Sequence, residues 1–209
     1  MASDLAIKLR WLNKEATKPV GITWGIPWRE GELGRTESLR LETTDAQGVV
    51  PVQSWPTAYW PDGSVKWSAH AATVQPGTTE GLTIRKGTSA VSADRVLVTE
   101  TEDTITLDTG AMICTIGKQG KQWLRSIVRD GNEICRGGEL VCLKESQSEV
   151  SAVRTVREEA FESRVLQAVV EQSGPIRAVV KLDGRLRSIT GAREWLPFTL
   201  RLYVYAGQE

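Results

Sequence analysis

The side chains best suited to chemistry lie in and just after one short segment, Trp55 to Trp67. Within it, Pro61-Asp62-Gly63 predicts a tight turn, because proline presets its φ angle, aspartate can bond its own backbone and glycine can adopt positive φ. In the strand that leaves the turn, Lys66, Ser68 and His70 fall on one face, since side chains alternate along a strand. We therefore expect a ligand to bind on that face.

Distance limits the catalysis that this face could perform. At roughly 3.3 Å per residue, the Cα atoms of Lys66 and His70 lie about 13 Å apart, too far for both to serve one reacting atom. His70 is the single histidine of the chain, so any Ser-His-Asp or Cys-His scheme must use it. The alternative reading is structural: Lys66 pairs with Asp62 across the turn, and His70 sits half-buried among its cross-strand neighbours.

Eight tryptophans suggest a second kind of site, one for carbohydrate. An exposed indole offers a flat apolar face to the C–H groups of a sugar ring, although tryptophan also fills the core of small β-barrels. Three of them lie beside turn signals and could form a platform: Trp24, Trp28 and Trp60. Three others are assigned to the core: Trp11, Trp55 and Trp67. The candidate ligand-binding residues are therefore Trp24, Trp28, Arg29, Trp60, Asp62, Lys66 and His70.

Neither a metal site nor a cofactor is expected. The cysteines, Cys114, Cys135 and Cys142, have no CxxC spacing and suit small core positions on strands better than a zinc site or a disulfide framework. One histidine cannot form a multi-histidine centre, and no Asp-rich loop has the spacing of a dedicated calcium site. Nucleotide binding is excluded because the glycines form neither a Walker sequence nor a strand-to-helix fingerprint.

Charge and length exclude further classes of function. The chain has 209 residues, with 26 basic and 26 acidic side chains. A formal charge of zero provides no field for a polyanion, so neither nucleic acid nor a membrane surface is an expected partner. No run approaches the roughly 18 apolar residues of a membrane span, and charged residues interrupt Met1 to Val20 where a signal peptide would be apolar. We expect a soluble, cytoplasmic protein.

The elements that position these residues are predicted to be strands. Period-two patterns outnumber helical ones and are interrupted by turn residues, which is typical of an all-β protein. Ser151 to Phe161 could be argued as a helix, but it continues into a strand-like run and is predicted as strand. The small, polar stretch Gly87 to Asp94 predicts a boundary between a domain at 1–92 and a second at 93–209.

Individual strands and turns can also be predicted. The strands include Val65 to Val74, Leu82 to Lys86, Gly138 to Leu143 and Ile176 to Leu182, and the turns include Asp130-Gly131-Asn132 and Asp183-Gly184. In Leu196 to Tyr205, one face is apolar and carries Phe198, Leu200, Leu202 and Val204. Because this pattern runs almost to Glu209, we expect a piece of a longer protein; the alternative is a small domain whose last strand is central.

Three motifs follow one another in the first 75 residues or so: Gly25 to Gly31 with the pattern G-x-P-W-x-x-G, Val50 to Gln53, and Trp60 to Trp67 with the sequence WPDGSVKW. Their content and order resemble the N-terminal part of the exo-acting rhamnogalacturonan lyases and the related YetA-like proteins. Three later stretches are similar to the start of that family's second domain: Asp108 to Met112, Ser173 to Val180 and Leu196 to Arg201.

The resemblance implies a small RIFT-type β-barrel followed by an antiparallel β-sandwich, incomplete in this chain, with an α/α toroid in the remainder of a longer protein. The implied activity is β-elimination at a galacturonic acid linked to rhamnose in pectin. No motif in this sequence matches the family's catalytic residues, so we expect them outside this chain.

Three functions remain open at this point. The chain is the non-catalytic N-terminal portion of a polysaccharide-lyase-like protein that frames the active cleft, or a self-contained carbohydrate-binding β module, or a structural β-domain without a ligand. The expected partners are a uronate-containing oligosaccharide and, for the first function, the remaining sandwich and toroid domains. The first function predicts exposed apolar surface on the second domain. The second requires at least two of the three platform indoles on one accessible surface.

Overall fold

The structure is a computed structural model that describes residues 6–11, 17–43, 48–76, 81–147, 156–191 and 193–209. All regular secondary structure in those residues is β-strand, which confirms the predicted all-β fold. None of these residues belongs to a helix with the length and apolarity that a membrane crossing requires. The strands are β1 (Ala6–Leu9), β2 (Val20–Pro27), β3 (Leu39–Thr43), β4 (Val49–Val50), β5 (Gln53–Tyr59), β6 (Val65–Val74), β7 (Leu82–Lys86), β8 (Leu97–Glu100), β9 (Thr104–Asp108), β10 (Met112–Gly117), β11 (Leu124–Arg129), β12 (Asn132–Gly138), β13 (Val141–Gln147), β14 (Val156–Ser173), β15 (Arg177–Ser188) and β16 (Glu194–Tyr205).

The chain divides into two compact units. Unit 1 comprises Met1–Val96 with two later segments, Gly174–Ala178 and Val204–Glu209, and unit 2 comprises Leu97–Ser173 and Val179–Tyr203. Strands β15 and β16 therefore each contribute one end to unit 1. The sequence boundary after residue 92 stays a prediction, and it did not include the two later segments.

Unit 1 contains two antiparallel sheets around one apolar core. One sheet has the order β1-β7-β3-β4, and the other has the order β2-β6-β5 with β6 paired to both neighbours. Large buried side chains from both sheets form a single cluster: Ile26, Trp28, Leu39, Leu41, Val65, Val74 and Ile84. Because β6 is the central strand of its sheet, it determines which side chains of that sheet face this core.

Unit 2 contains a five-stranded sheet, β12-β11-β10-β9-β8, and a four-stranded sheet, β13-β14-β15-β16. The predicted turn between β11 and β12 is confirmed. Asp130 and Gly131 have φ angles of 49° and 74°, and positive φ at both central residues is what a two-residue hairpin turn needs to match strand twist. In β16, the predicted apolar face is also confirmed, with Val204 buried and three residues half-buried: Phe198, Leu200 and Leu202.

Several predicted elements agree with the structure. Strands β6 and β7 have the predicted bounds, Val65–Val74 and Leu82–Lys86. Ile176 to Leu182 falls largely within the longer strand β15. The predicted strand over Ser151 to Phe161 agrees with β14 from Val156 onward, and residues 151–155 lie outside the described part of the chain.

Other predictions are wrong. Asp183-Gly184 is not a turn but lies inside β15, because Gly184 is buried where the Phe198 ring packs across the strand. The run Gly138 to Leu143 is split between β12 and β13. No element was predicted over Val20–Pro27, where glycine, tryptophan and proline obscure the alternation, but this segment is a strand that pairs with β6 along its whole length.

Replacing Gly184 with alanine should destabilise the protein. The added Cβ would overlap the Phe198 ring and would meet the Arg164 carbonyl oxygen at 2.5 Å. Because backbone cannot move aside as a flexible side chain can, we expect the free energy of unfolding to fall by about 1–3 kcal/mol in urea denaturation. Gly191→Ala is the matched control, since its nearest atom, Arg193 N, is 4.0 Å away. Equal stability of the two variants would contradict the close packing at Gly184.

Candidate functional site

His70 is the buried centre of a hydrogen-bond chain in unit 1. Its Nδ1 is 2.9 Å from Ser54 Oγ on β5, and its Nε2 is 2.7 Å from Ser68 Oγ on β6. The indole N–H of Trp28 donates to the same Ser68 oxygen at 2.7 Å. The imidazole is fully buried and stacks on Trp24, with ring centroids 5.4 Å apart. The prediction that Ser68 and His70 face a ligand is therefore wrong, because this side of β6 is the interior.

The hydrogen-bond chain assigns one tautomer to the imidazole. Trp28 Nε1 can only donate, so Ser68 Oγ accepts that bond. We assign the Ser68 hydrogen to an unprotonated Nε2 of His70, because every polar hydrogen of the chain then has an acceptor. Nδ1 then carries the proton and donates to Ser54. A second proton, on Nε2, would disrupt this chain. Burial accordingly lowers the pKa of His70 to about 4, and the ring is neutral at neutral pH.

The turn from Trp60 to Ser64 is held by its own polar groups. Asp62 Oδ1 accepts hydrogen bonds from Ser64 N at 2.8 Å and from Ser64 Oγ at 2.6 Å, and these bonds lower the pKa of the Asp62 carboxyl. Gly63 has a φ of 85°, the left-handed conformation that only glycine adopts easily. Ser64 Oγ also accepts from Gly31 N at 2.9 Å, which ties the loop after β2 to the turn. Asp62 thus acts here as a structural acceptor.

Two exposed cations lie over aromatic rings beside this turn. Lys66 Nζ is 4.4 Å from the centre of the Trp60 ring, and the Arg35 guanidinium carbon is 4.1 Å from that of Tyr59. Such contacts contribute about 0.5–1 kcal/mol at exposed sites. The alternative pairing of Lys66 with Asp62 is not formed between these two described residues. Each cation covers a ring face that a sugar would need for stacking.

The three indoles proposed as a sugar platform are not all accessible. Trp28 is 3% exposed and packs in the core, because its Nε1 has a buried acceptor. Trp24 is half-buried against His70, and none of the described groups accepts a hydrogen bond from its buried Nε1. Trp60 is half-buried, and Arg29 is exposed with its backbone N–H bonded to Glu32. Trp28 is therefore excluded from an accessible platform, whereas Trp24 and Trp60 keep part of their surface exposed.

Trp67, which we assigned to the core, is 44% exposed. Its indole lies against Gly25 of β2, where the absent side chain leaves room for the ring. Trp55, also assigned to the core, is half-buried, and the guanidinium carbon of Arg177 is 5.0 Å from the centre of its ring. Sequence reasoning missed Arg177 altogether. No local pattern identifies these neighbours, because they meet only through the pairing of distant segments.

No group of His, Cys, Asp and Glu within the described residues is arranged to hold a metal ion. All three cysteines are free thiols on strands. Cys114 on β10 is buried, and burial raises its pKa to about 11, which suits an inert core residue. Cys135 and Cys142 are half-buried rather than core positions.

These features define a two-domain, all-β protein whose single imidazole is structural. Comparison with known proteins agrees with the two domains: residues 5–109 match the PcRGLX-like N-terminal RIFT barrel domain, and residues 96–209 match the PcRGLX-like protein central beta sandwich domain. The chain belongs to the PcRGLX-like family of rhamnogalacturonan-lyase-like proteins, which confirms the resemblance seen in the motifs. It has a RIFT barrel followed by a β-sandwich domain.

A curated relative extends this assignment. The chain is 40% identical over 200 residues to YetA of Bacillus subtilis (strain 168), which is described as an uncharacterized protein. The alignment covers 96% of this chain but only 23% of YetA, so the chain spans about a quarter of the relative's length.

Replacing His70 with glutamine should change stability in a pH-dependent way. The pKa of His70 is about 4 in the folded protein against an ordinary value of 6.5, so between these values the unfolded state binds more protons. The contribution of a neutral His70 is complete above pH 6.5 and is lost as the pH falls towards 4, by about 3 kcal/mol. Urea denaturation across this window should show wild type losing its advantage over His70→Gln as the pH falls.

The comparison with the variant is needed because carboxylates titrate in the same window. The pKa values of Glu37 and Glu171 are lowered by Lys86 and Arg201, and both pairs are retained in the variant. Their contributions therefore cancel in the difference between the two proteins. A difference that stays constant with pH would contradict a buried, neutral imidazole.

Proposed function

We propose that this chain is the non-catalytic N-terminal portion of a polysaccharide-lyase-like protein, and that it frames the cleft in which other domains cleave a uronate-containing glycan such as rhamnogalacturonan. Family membership supports the class of protein. The partial coverage of YetA supports a role as one portion of a longer protein.

The observation that carries the non-catalytic assignment is the enclosure of His70. In β-elimination, a base removes the proton α to the uronate carboxyl group, the glycosidic C–O bond β to it breaks, and a carbon–carbon double bond forms; cations or hydrogen-bond donors stabilise the developing charge. His70 has no accessible surface and a lowered pKa, and both ring nitrogens are hydrogen-bonded. The one imidazole of the chain is therefore unsuited to act as that base.

Exposed apolar side chains in unit 2 support contact with a further domain. Val141 and Leu143 are 64% and 59% exposed on β13, which is an edge strand of the four-stranded sheet. An exposed edge with apolar side chains is a surface that proteins ordinarily cover. We assign it to contact with the remaining sandwich segments or the toroid domain of the longer protein.

A carbohydrate-binding role of the barrel is the second candidate function. Its specific support is Trp67, an exposed aromatic side chain on the outward face of a sheet. The two functions are compatible, because a barrel that binds a glycan could present it to a cleft formed by other domains.

The purified chain alone should show no lyase activity. Incubated with rhamnogalacturonan oligosaccharides, it should produce no ultraviolet absorbance from unsaturated uronate, because its one imidazole is buried and the catalytic residues are proposed to lie in other domains. An active rhamnogalacturonan lyase acting on the same oligosaccharides is the positive control. Absorbance that rises in proportion to the concentration of the chain would overturn the proposal.

A further inference from the structure

We infer that the outward face of the sheet β2-β6-β5 binds an acidic sugar, with Trp67 as the stacking platform and Arg177 as the partner of the sugar carboxylate. The choice of a uronate oligosaccharide as the ligand rests on the proposed function. The surface itself follows from strand register and contacts within unit 1.

The register places the relevant side chains on one face. Directly opposed residues of antiparallel strands project to the same side of the sheet. Gly25 of β2 and Trp55 of β5 both lie opposite Ala69 of β6, and Pro27 lies opposite Trp67 in the adjacent row. In the row Gly25–Ala69–Trp55, Trp55 alone has a large side chain, so the row is low at Gly25 and Ala69.

The Trp67 indole occupies space that only a glycine at position 25 leaves. A Cβ on Gly25 would lie 2.6 Å from Trp67 Nε1 and 3.2 Å from its Cε2. The ring meets position 25 with its Nε1 edge, and 44% of the residue is exposed, so part of the indole is open to solvent. Tyr59 is exposed to nearly the same degree, 43%, but Arg35 covers its ring. Trp67 is therefore the exposed aromatic ring of this sheet that a sugar can stack on.

Arg177 holds a positive charge at the other side of this low region. Its Nη1 donates to Thr23 Oγ1 at 2.9 Å, and its guanidinium carbon lies 5.0 Å from the centre of the Trp55 ring. Its backbone N–H is fixed by Gln53 Oε1 at 2.9 Å. Thr23 is two residues from Gly25 along β2, so successive rows of the face are about 7 Å apart, a spacing that a short oligosaccharide can span.

This combination selects the chemistry of the ligand. A flat indole accepts the C–H face of a pyranose ring, and a guanidinium pairs with a carboxylate through charge-assisted hydrogen bonds. A pyranose that carries a carboxylate uses both groups, whereas a neutral sugar uses only the indole. The surface is accordingly assigned to a uronate-containing oligosaccharide.

Isothermal titration calorimetry tests this assignment on the full chain. The probe is a rhamnogalacturonan tetrasaccharide, and its carboxyl-reduced derivative is the neutral control. We expect saturable binding of the acidic probe, about tenfold weaker binding of the reduced probe, and a loss of about tenfold with Trp67→Ala. Arg177→Gln should lower affinity for the acidic probe to that for the reduced one.

Two further variants separate binding from folding. Gly25→Ala keeps the Trp67 side chain but displaces the indole, so it should weaken binding as Trp67→Ala does. Tyr59→Ala removes an aromatic ring of similar exposure and should leave binding unchanged. Unfolding curves of every variant check that the barrel remains folded.

The outcomes are distinct from those of the lyase assay. Failure of the acidic probe to bind, or equal losses with Trp67→Ala and Tyr59→Ala, would overturn the inference and assign the face to contact with another part of the longer protein. Equal affinity for the acidic and reduced probes would overturn the role of Arg177. Ultraviolet absorbance in the same samples would overturn the proposed non-catalytic function and leave the binding result standing.

Discussion

A buried imidazole is compatible with a stable fold only when its ring nitrogens are satisfied, and in unit 1 this requirement joins three strands. His70 on the central strand bonds Ser54 on β5 and Ser68 on its own strand, and Trp28, directly after β2, completes the chain. Loss of one partner would leave a buried polar group without a hydrogen bond, which lowers the free energy of unfolding by about 1–3 kcal/mol. The register of the sheet and this hydrogen-bond chain therefore stabilise each other.

The same constraint determines what the sheet presents to solvent. Because side chains alternate along β6, burial of Ser68 and His70 turns Trp67 and Ala69 outward. The pairing of β2 then brings Gly25 beside the outward indole. An interior polar network and an exterior aromatic surface are thus two consequences of one strand register.

Local sequence patterns predicted the bounds of strands and turns better than they predicted which face of a strand is buried. The bounds of β6 and the turn at Asp130-Gly131 follow from alternation and from turn chemistry, both of which act over a few residues. Which side of β6 is buried depends on Ser54 and Trp28, which are distant in sequence and become acceptor and donor only after the strands pair. Arg177 is even more distant in the sequence, and no pattern near the barrel strands indicates that its guanidinium contacts the Trp55 ring.

Stability alone does not explain the outward face. Glycine inside a strand costs about 0.5–1 kcal/mol relative to alanine, and a tryptophan left 44% exposed forgoes part of the hydrophobic free energy of burial. A β-branched residue at position 25 and a polar one at 67 would remove both penalties without entering the core. Departures from local stability concentrate at functional sites, and here two coincide near a fixed guanidinium. In the WPDGSVKW motif, by contrast, Asp62 accepts hydrogen bonds within the turn and so stabilises the fold. The last residue of the motif, Trp67, faces solvent.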